Sequence, residues 1–305
     1  MKPSPAPPLI TADELAHELA GPRPDRIAPI LLDVRWSLAG SDEPGFVAGH
    51  LPGARFLDLD RHLAGAAGPG GRHPLPPAES LQAALRALGL TDQSPVVVYD
   101  GGSGLSAARA WWVLRWSGLA RVRVLDGGLP AWLADPARPT ESGPAAPPAA
   151  GSVTVRPGAM PTVTVQQVDR AIGRVIYRGI DAQGAADHPV LLDVRAAARY
   201  RGEVEPLDPV AGHIPGAVNL PIGELMRPDG TYRPAAEIAT VLQAVGLTDG
   251  TPAIASCGSG VTACQLVLAA ELVGRRAALY PGSYSQWCAL GRRVATGAGR
   301  PGAEV

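Results

Sequence analysis

The residues best placed to do chemistry lie in Ala255-Ser256-Cys257-Gly258-Ser259-Gly260-Val261-Thr262-Ala263-Cys264. The apolar run at 251–255 predicts a buried strand, and a helical pattern resumes after Thr262, so Cys257 falls on a strand-to-helix turn. Two glycines flank Ser259 and let successive backbone N–H groups turn inward. Together with the positive end of the following helix they would hold a thiolate. A cysteine considered alone is more often a buried structural residue, but the glycine-rich turn favours a nucleophile, and the expected chemistry is covalent catalysis at Cys257.

The rest of the composition sets bounds on what such a nucleophile serves. At 305 residues the chain exceeds the usual single-domain size, so two domains are expected. A formal charge of −1 with 18% charged residues provides no basic field for nucleic acid or an anionic membrane, and the expected partners are small molecules or proteins. Residues 1–8 are Pro-rich without an apolar core, and no later window holds 18 uncharged apolar residues, so a soluble cytoplasmic protein is expected. The three cysteines, Cys257, Cys264 and Cys288, are odd in number, which argues for a reducing compartment and against a disulfide framework. No CxxC pair or His/Cys cluster suggests a metal, no GxGxxG follows a strand, and no cofactor is called for.

The elements that must position Cys257 emerge from an internal repeat. Leu31-Leu32-Asp33-Val34-Arg35 recurs as Leu191-Leu192-Asp193-Val194-Arg195. Gly49-His50-Leu51-Pro52-Gly53-Ala54 recurs as Gly212-His213-Ile214-Pro215-Gly216-Ala217, and Gly89-Leu90-Thr91-Asp92 as Gly246-Leu247-Thr248-Asp249. Subtracting residue numbers gives offsets of 160, 163 and 157, in the same order along the chain, which marks a duplicated domain. Within each copy short apolar strands such as 30–34 and 96–99 alternate with amphipathic helical stretches such as 78–88 and 106–116. That alternation predicts an α/β fold, each copy a parallel sheet with helices on both faces. Ligands in such folds bind at the carboxyl ends of strands, where Asp100 and Cys257 would both lie. Residues 135–151 are loaded with Pro, Ala, Gly and Ser and read as a linker. The expected borders are an N-terminal domain at 1–140, a linker at 141–160 and a C-terminal domain at 161–305. At the 157 offset Asp100 falls opposite Cys257, and since a carboxylate cannot do thiolate chemistry, the N-terminal copy is expected to be catalytically inactive and to shape or pack against the active cleft.

Leu-Asp-Val-Arg, Gly-His-Ile-Pro-Gly-Ala and Cys257-Gly258-Ser259-Gly260-Val261-Thr262 together resemble the tandem-domain rhodanese family of sulfurtransferases, over roughly residues 31–132 and 191–287. The loop is most similar to the 3-mercaptopyruvate sulfurtransferase branch, because thiosulfate-specific members tend to carry basic side chains after the cysteine. The resemblance implies two tandem rhodanese-like domains and a Cys257 persulfide that takes a sulfane sulfur from a small-molecule donor and passes it to a thiol, cyanide or thioredoxin-like acceptor. Physically this splits one transfer into two displacements at sulfur. The loop residues Gly258, Gly260, Val261 and Thr262 would hold substrate through their amides.

In the mercaptopyruvate branch a loop serine works with a histidine and an aspartate from the N-terminal domain, and the matching positions are Ser259, His73 and Asp60. Such a relay could protonate the departing enolate of pyruvate. Without the family, His73 reads as a loop histidine with no role. Arg199 occupies the position of the family's substrate-binding arginine, whose guanidinium fork suits a carboxylate; the bland alternative is a surface arginine paired with Glu203 or Glu205. The branch usually has a second arginine shortly downstream, but Leu207 stands about there, which counts against mercaptopyruvate. Arg201, Arg72 or Arg109 could compensate.

Both copies keep His50 and His213, so these are expected to be structural, as are the Asp33/Arg35 and Asp193/Arg195 pairs. Trp111, Trp112 and Trp116 are expected in packing, and Cys264, two helical turns beyond Cys257, in the core. Three alternatives to a mercaptopyruvate sulfurtransferase stand beside it. A cysteine phosphatase needs Cys-x5-Arg, and the sixth residue after Cys257 is Ala263. A thiosulfate:cyanide sulfurtransferase and a non-catalytic sulfur carrier remain open.

Overall fold

The computed structural model describes residues 7–21, 27–178 and 189–298; the Pro-rich residues 1–6 lie outside them. The chain divides into two compact units. The first comprises Met1–Gly65, Leu75–Met160 and Pro228–Tyr232, and the second Ala66–Pro74, Pro161–Arg227 and Arg233–Val305.

In the first unit the strands are β1 (Leu9–Ile10), β2 (Ile30–Asp33), β3 (Trp36–Ser37), β4 (Gly40–Ser41), β5 (Arg55–Phe56), β6 (Val96–Tyr99) and β7 (Val122–Leu125). The helices are α1 (Ala12–Leu19), α2 (Glu43–Ala48), α3 (Leu59–His62), α4 (Ala78–Ala87), α5 (Leu105–Trp116) and α6 (Gly128–Leu133). The main sheet has the order β1-β7-β6-β2-β5 and every pairing in it is parallel. β6 is the run Val-Val-Val-Tyr with all four residues buried, the continuous apolar pattern of a strand covered on both faces. Thr11 and Glu14 close a capping box that fixes the start of α1. α5 is buried from Ser106 to Leu114, so it is a core helix rather than an amphipathic one. Trp111 and Trp112 lie inside it, in packing positions as expected.

The second unit repeats the plan with β8 (Val190–Asp193), β9 (Val218–Asn219), β10 (Ala253–Ser256) and β11 (Ala278–Leu279), and with α7 (Val165–Arg178), α8 (Ala197–Arg201), α9 (Ala235–Ala244), α10 (Ala263–Leu272) and α11 (Ser283–Ala289). Its sheet order, β11-β10-β8-β9, is that of β7-β6-β2-β5, again all parallel. The counterpart of β1 shrinks to a single parallel bridge between Thr162 and Leu279. Both units are thus α/β, a parallel sheet flanked by helices. Among the described residues no helix is long and apolar enough to cross a membrane.

The repeated motifs tie each sheet together. Arg35 lies on Asp33 at 2.8 Å and donates to the carbonyls of Gly45 and Gly49. Arg195 lies on Asp193 at 2.7 Å and donates to Gly212 O. His50 bonds Phe46 O and stacks on the Phe46 ring at 4.0 Å, while His213 bonds Tyr200 O and stacks on Tyr200 at 3.7 Å. These four groups are structural, as their presence in both copies implies.

The stretch expected as a linker is part of the first unit. The N–H groups of Gly143, Gly151, Val153, Arg156 and Ala159 bond the carbonyls of Val47, Arg86, Leu90, Ser117 and Trp116. Composition alone suggested a free tether, yet these backbone groups find partners on helix ends and loops of a domain already folded. The opposite exchange brings residues 66–74 into the second unit.

Candidate active site

β10 ends at Ser256 and α10 begins at Ala263, so Cys257 occupies the strand-to-helix turn expected for it. The turn is anchored from both sides. Cys257 N–H donates to Ser283 Oγ at 3.1 Å, Tyr284 N–H to Cys257 O at 3.0 Å, and Ser285 N–H to Gly258 O at 2.8 Å. Ser283 holds φ +50°, the positive-φ non-glycine residue of the described chain, with its hydroxyl spent on Tyr280 O. Strain of that kind is held in place only where surroundings over-determine it.

Within the loop Gly260 N–H donates to Cys257 Sγ at 3.1 Å. Gly260 has φ +77°, and a Cβ there would stand 2.3 Å from Pro281 O. Glycine is therefore required for the amide to face the sulfur. Val261 and Thr262 turn the chain into α10, their carbonyls accepting from Cys264 and Gln265 N–H. Cys257 is 2% exposed, so an anion on its sulfur is sheltered from water and held by amide dipoles.

Ser259 Oγ lies 2.8 Å from His73 Nδ1. His73 belongs to the segment of residues 66–74 that is part of the second unit, although 186 positions separate the two side chains in sequence. Asp60 lies in the first unit, in the first turn of α3, where its carboxylate accepts from Trp36 Nε1 at 2.9 Å.

Arg199, on α8, is neither a lone anion hook nor a surface residue. Its Nη2 lies 2.5 Å from Glu205 Oε1 and 3.4 Å from Asp208 Oδ2, with its side chain 18% exposed. Burial pushes the Glu205 carboxyl up, but hydrogen bonds from Arg199 and from the Leu207 and Asp208 amides outweigh it and hold the group below the usual carboxylate range. A second guanidinium, that of Arg72, pairs with Asp208 Oδ1. A Cβ placed on Gly258 would lie 2.9 Å from Arg72 Nη2 and 3.7 Å from Arg199 Nη1, so both cations sit over the residue after the nucleophile.

The other two cysteines lie on α10 and α11, outside the turn. Cys264 is fully buried and its Sγ donates to Gly260 O at 3.3 Å. Burial pushes the Cys288 thiol up, which makes it a poor nucleophile.

A family model described as "Rhodanese-like domain" matches residues 11–135 and again 177–290. The chain belongs to the rhodanese-like family. A Mycobacterium tuberculosis relative, provisionally named a thiosulfate sulfurtransferase, is 42% identical over 92% of this chain and 93% of its own. The 3-mercaptopyruvate sulfurtransferase of Homo sapiens is 35% identical over 92% of this chain and 91% of its own. The crystal structure of the 3-mercaptopyruvate enzyme of Escherichia coli superimposes with a TM-score of 0.75 at 31% identity, covering 92% of this chain and all of that one.

Of the residues singled out in the sequence, the second rhodanese-like unit brings together Cys257, Gly258, Ser259, Gly260, Val261, Thr262, His73 and Arg199. Of the three arginines named as replacements for the one missing at Leu207, Arg201 pairs with Glu203 at the surface and Arg109 is buried against Leu63 O in the first unit. Only Arg72 reaches the loop. Sequence reasoning named Glu205 only as a partner of Arg199 at the surface and missed Asp208, the carboxylate shared by both guanidiniums; the cluster Glu203-Val204-Glu205-Pro206-Leu207-Asp208 beside Arg199 was the available signal.

Proposed function

We propose that this protein is a sulfurtransferase whose preferred donor is 3-mercaptopyruvate. The observation that carries the reading is the Gly258-Ser259-Gly260 turn around a buried Cys257, with His73 on Ser259 and two guanidiniums over Gly258. In the first half-reaction the Cys257 thiolate attacks the donor sulfur. The Sγ–S bond forms, the donor C–S bond breaks, and its electron pair leaves on the enolate of pyruvate. That enolate takes one proton, which the Ser259–His73 pair would deliver, and pyruvate departs. In the second half a thiol or cyanide attacks the outer sulfur, the S–S bond breaks, and the Cys257 thiolate returns. The Gly260 amide stays on the sulfur in both halves and needs no rearrangement. The family resemblance names Asp60 as a third relay member; within the first unit its carboxylate accepts from Trp36 Nε1.

Two features support a carboxylate donor over a dianion: the loop carries no Lys or Arg between Cys257 and Cys264, and the two cations beside it, Arg72 and Arg199, are already paired with Asp208 and Glu205. The name of the Mycobacterium tuberculosis relative favours thiosulfate as the second reading. Comparing kcat/KM for the two donors, with intact-mass detection of one sulfur added to Cys257, separates them; higher efficiency on thiosulfate would reject the first reading. The acceptor is a small thiol, cyanide or a thioredoxin-like protein, and turnover with dithiol acceptors distinguishes an enzyme from a carrier. With none of its three cysteines in a disulfide the protein suits a reducing, cytoplasmic setting.

A further inference from the structure

The strap of residues 66–74 carries more than His73. It opens with a Gly68–Gly71 bridge, and Gly71 holds φ +105°, where a Cβ would meet Gly282 O at 2.8 Å and Ser285 Oγ at 2.9 Å. A glycine is what lets the strap close on the loop before α11. The next N–H, that of Arg72, donates to Ser285 Oγ at 3.1 Å, while Ser285 N–H bonds Gly258 O. The backbone that presents Arg72 and the loop that carries Cys257 thus share one serine.

The Arg72 side chain is fixed at its far end as well. Asp208, with its side chain 2% exposed, takes Arg72 on one oxygen and Arg199 on the other. One buried carboxylate therefore sets two guanidiniums side by side. Arg72 Nη2 faces the space a side chain at position 258 would fill, only 2.9 Å from the ideal Cβ. A guanidinium has five N–H donors in a planar fork, so Nη1 can stay on Asp208 while the remaining donors meet an incoming anion.

We propose that Arg72 is a donor-recognition residue: with Arg199 it binds the carboxylate of an α-keto acid donor, supplying from the strap the second cation that the segment around Leu207 lacks. Asp208 is the positioning residue that holds both forks over Gly258. The absence of a side chain at 258 is part of the same device, because any larger residue there would displace Arg72. The proposal rests on the mercaptopyruvate reading and adds to it the residue that selects a carboxylate.

The test uses the full chain, with Arg72→Gln, Arg72→Lys and Asp208→Asn. Losing one charge-assisted fork to the substrate should raise KM for mercaptopyruvate about 10- to 100-fold and leave kcat within a few-fold. The dissociation constant of pyruvate, measured by calorimetry on the resting enzyme, should rise in parallel. Arg72→Lys keeps the charge without the fork and should fall between wild type and Arg72→Gln. Asp208→Asn should weaken pyruvate binding too, since both forks lose their shared anchor. A purely structural role would lower the melting temperature and kcat while leaving KM and the pyruvate constant alone, and that result overturns the proposal. Pyruvate binding keeps the two claims apart. If the enzyme does not turn over mercaptopyruvate yet binds pyruvate in an Arg72-dependent way, the donor reading fails and the assignment of Arg72 stands. If Arg72→Gln binds pyruvate as wild type does, the assignment fails whatever the donor.

Discussion

Gly260→Ala adds one methyl group at the residue whose N–H holds the nucleophilic sulfur. Gly260 sits at φ +77°, and left-handed backbone costs an L residue about 1–2 kcal/mol. The new Cβ would also lie 2.3 Å from Pro281 O and 3.0 and 3.1 Å from Pro281 C and Cα. All three are backbone atoms, so no side-chain rotation relieves the contact and the loop must shift, at a typical overpacking cost of about 1–3 kcal/mol. The stiffer unfolded chain returns about 0.4–1 kcal/mol. The expected loss of stability is therefore about 1–4.6 kcal/mol. Gly274→Ala is the control: φ is +72° but nothing lies within 4 Å of the added atom, so only the dihedral cost of about 1 kcal/mol applies.

The same displacement stretches the 3.1 Å contact between Gly260 N–H and Cys257 Sγ. A hydrogen bond to a charged group contributes about 1.5–3 kcal/mol, which at about 1.36 kcal/mol per decade is about 10- to 150-fold in the rate of persulfide formation. Urea melts of both variants give the stability difference, and single-turnover intact-mass measurements give the rate. If Gly260→Ala is no less stable than Gly274→Ala, or forms persulfide at the wild-type rate, the geometry assigned to the loop is wrong.

Three further outcomes are expected. Cys257→Ser should form no persulfide and keep the wild-type melting temperature, whereas Cys288→Ala should be loaded with one sulfur as readily as wild type, since burial disfavours the Cys288 thiolate; persulfide lost in Cys288→Ala without a loss of stability would require a second essential cysteine. His73→Ala should slow persulfide formation from mercaptopyruvate by about a hundred-fold or more, the cost of a missing general acid, and slow hand-off of a preformed persulfide less; a fragment beginning at Val153 lacks His73 and Arg72 and should behave no better. Because the folded Glu205 carboxyl titrates below its unfolded value, its stabilising share is present above the unfolded pKa and is lost as pH falls through the folded one. Melting temperatures of wild type and Glu205→Gln should therefore converge in acid and diverge toward neutrality, and parallel curves would contradict that assignment.

What the sequence disclosed and what it hid follow the range of the interactions involved. The repeated Leu-Leu-Asp-Val-Arg and Gly-His-x-Pro-Gly-Ala motifs are local patterns, and they land on β2 and β8 and on the turns before β5 and β9. Cys257 could be placed because a strand, a glycine turn and a helix follow one another without interruption. The strap could not be read from pattern: Arg72 and His73 stand among Gly, Arg and Pro with no periodicity, the family resemblance alone ties His73 to Ser259, and the contact of Arg72 with Ser285 shows only in the folded chain. The segment read as a linker went wrong for a related reason, since low periodicity reports missing side-chain packing and says nothing of backbone bonds such as Val153 N–H to Leu90 O.

The duplication shows how little separates the two loops. In the first unit Asp100 stands where the second has Cys257, and its carboxylate accepts from Gly102, Gly104, Ser106 and Ala107 N–H at 2.9 to 3.2 Å. The amide nest at the start of α5 is intact, but the Asp100 side chain already fills it. At the 160 offset Arg199 falls opposite Ala39, in the turn between β3 and β4, so the guanidinium is missing as well as the thiol. An amide nest binds whatever negative charge it is given. The cysteine and the two guanidiniums beside it, rather than the nest, are therefore what we hold to separate a sulfur-transfer site from a structural copy of the same turn.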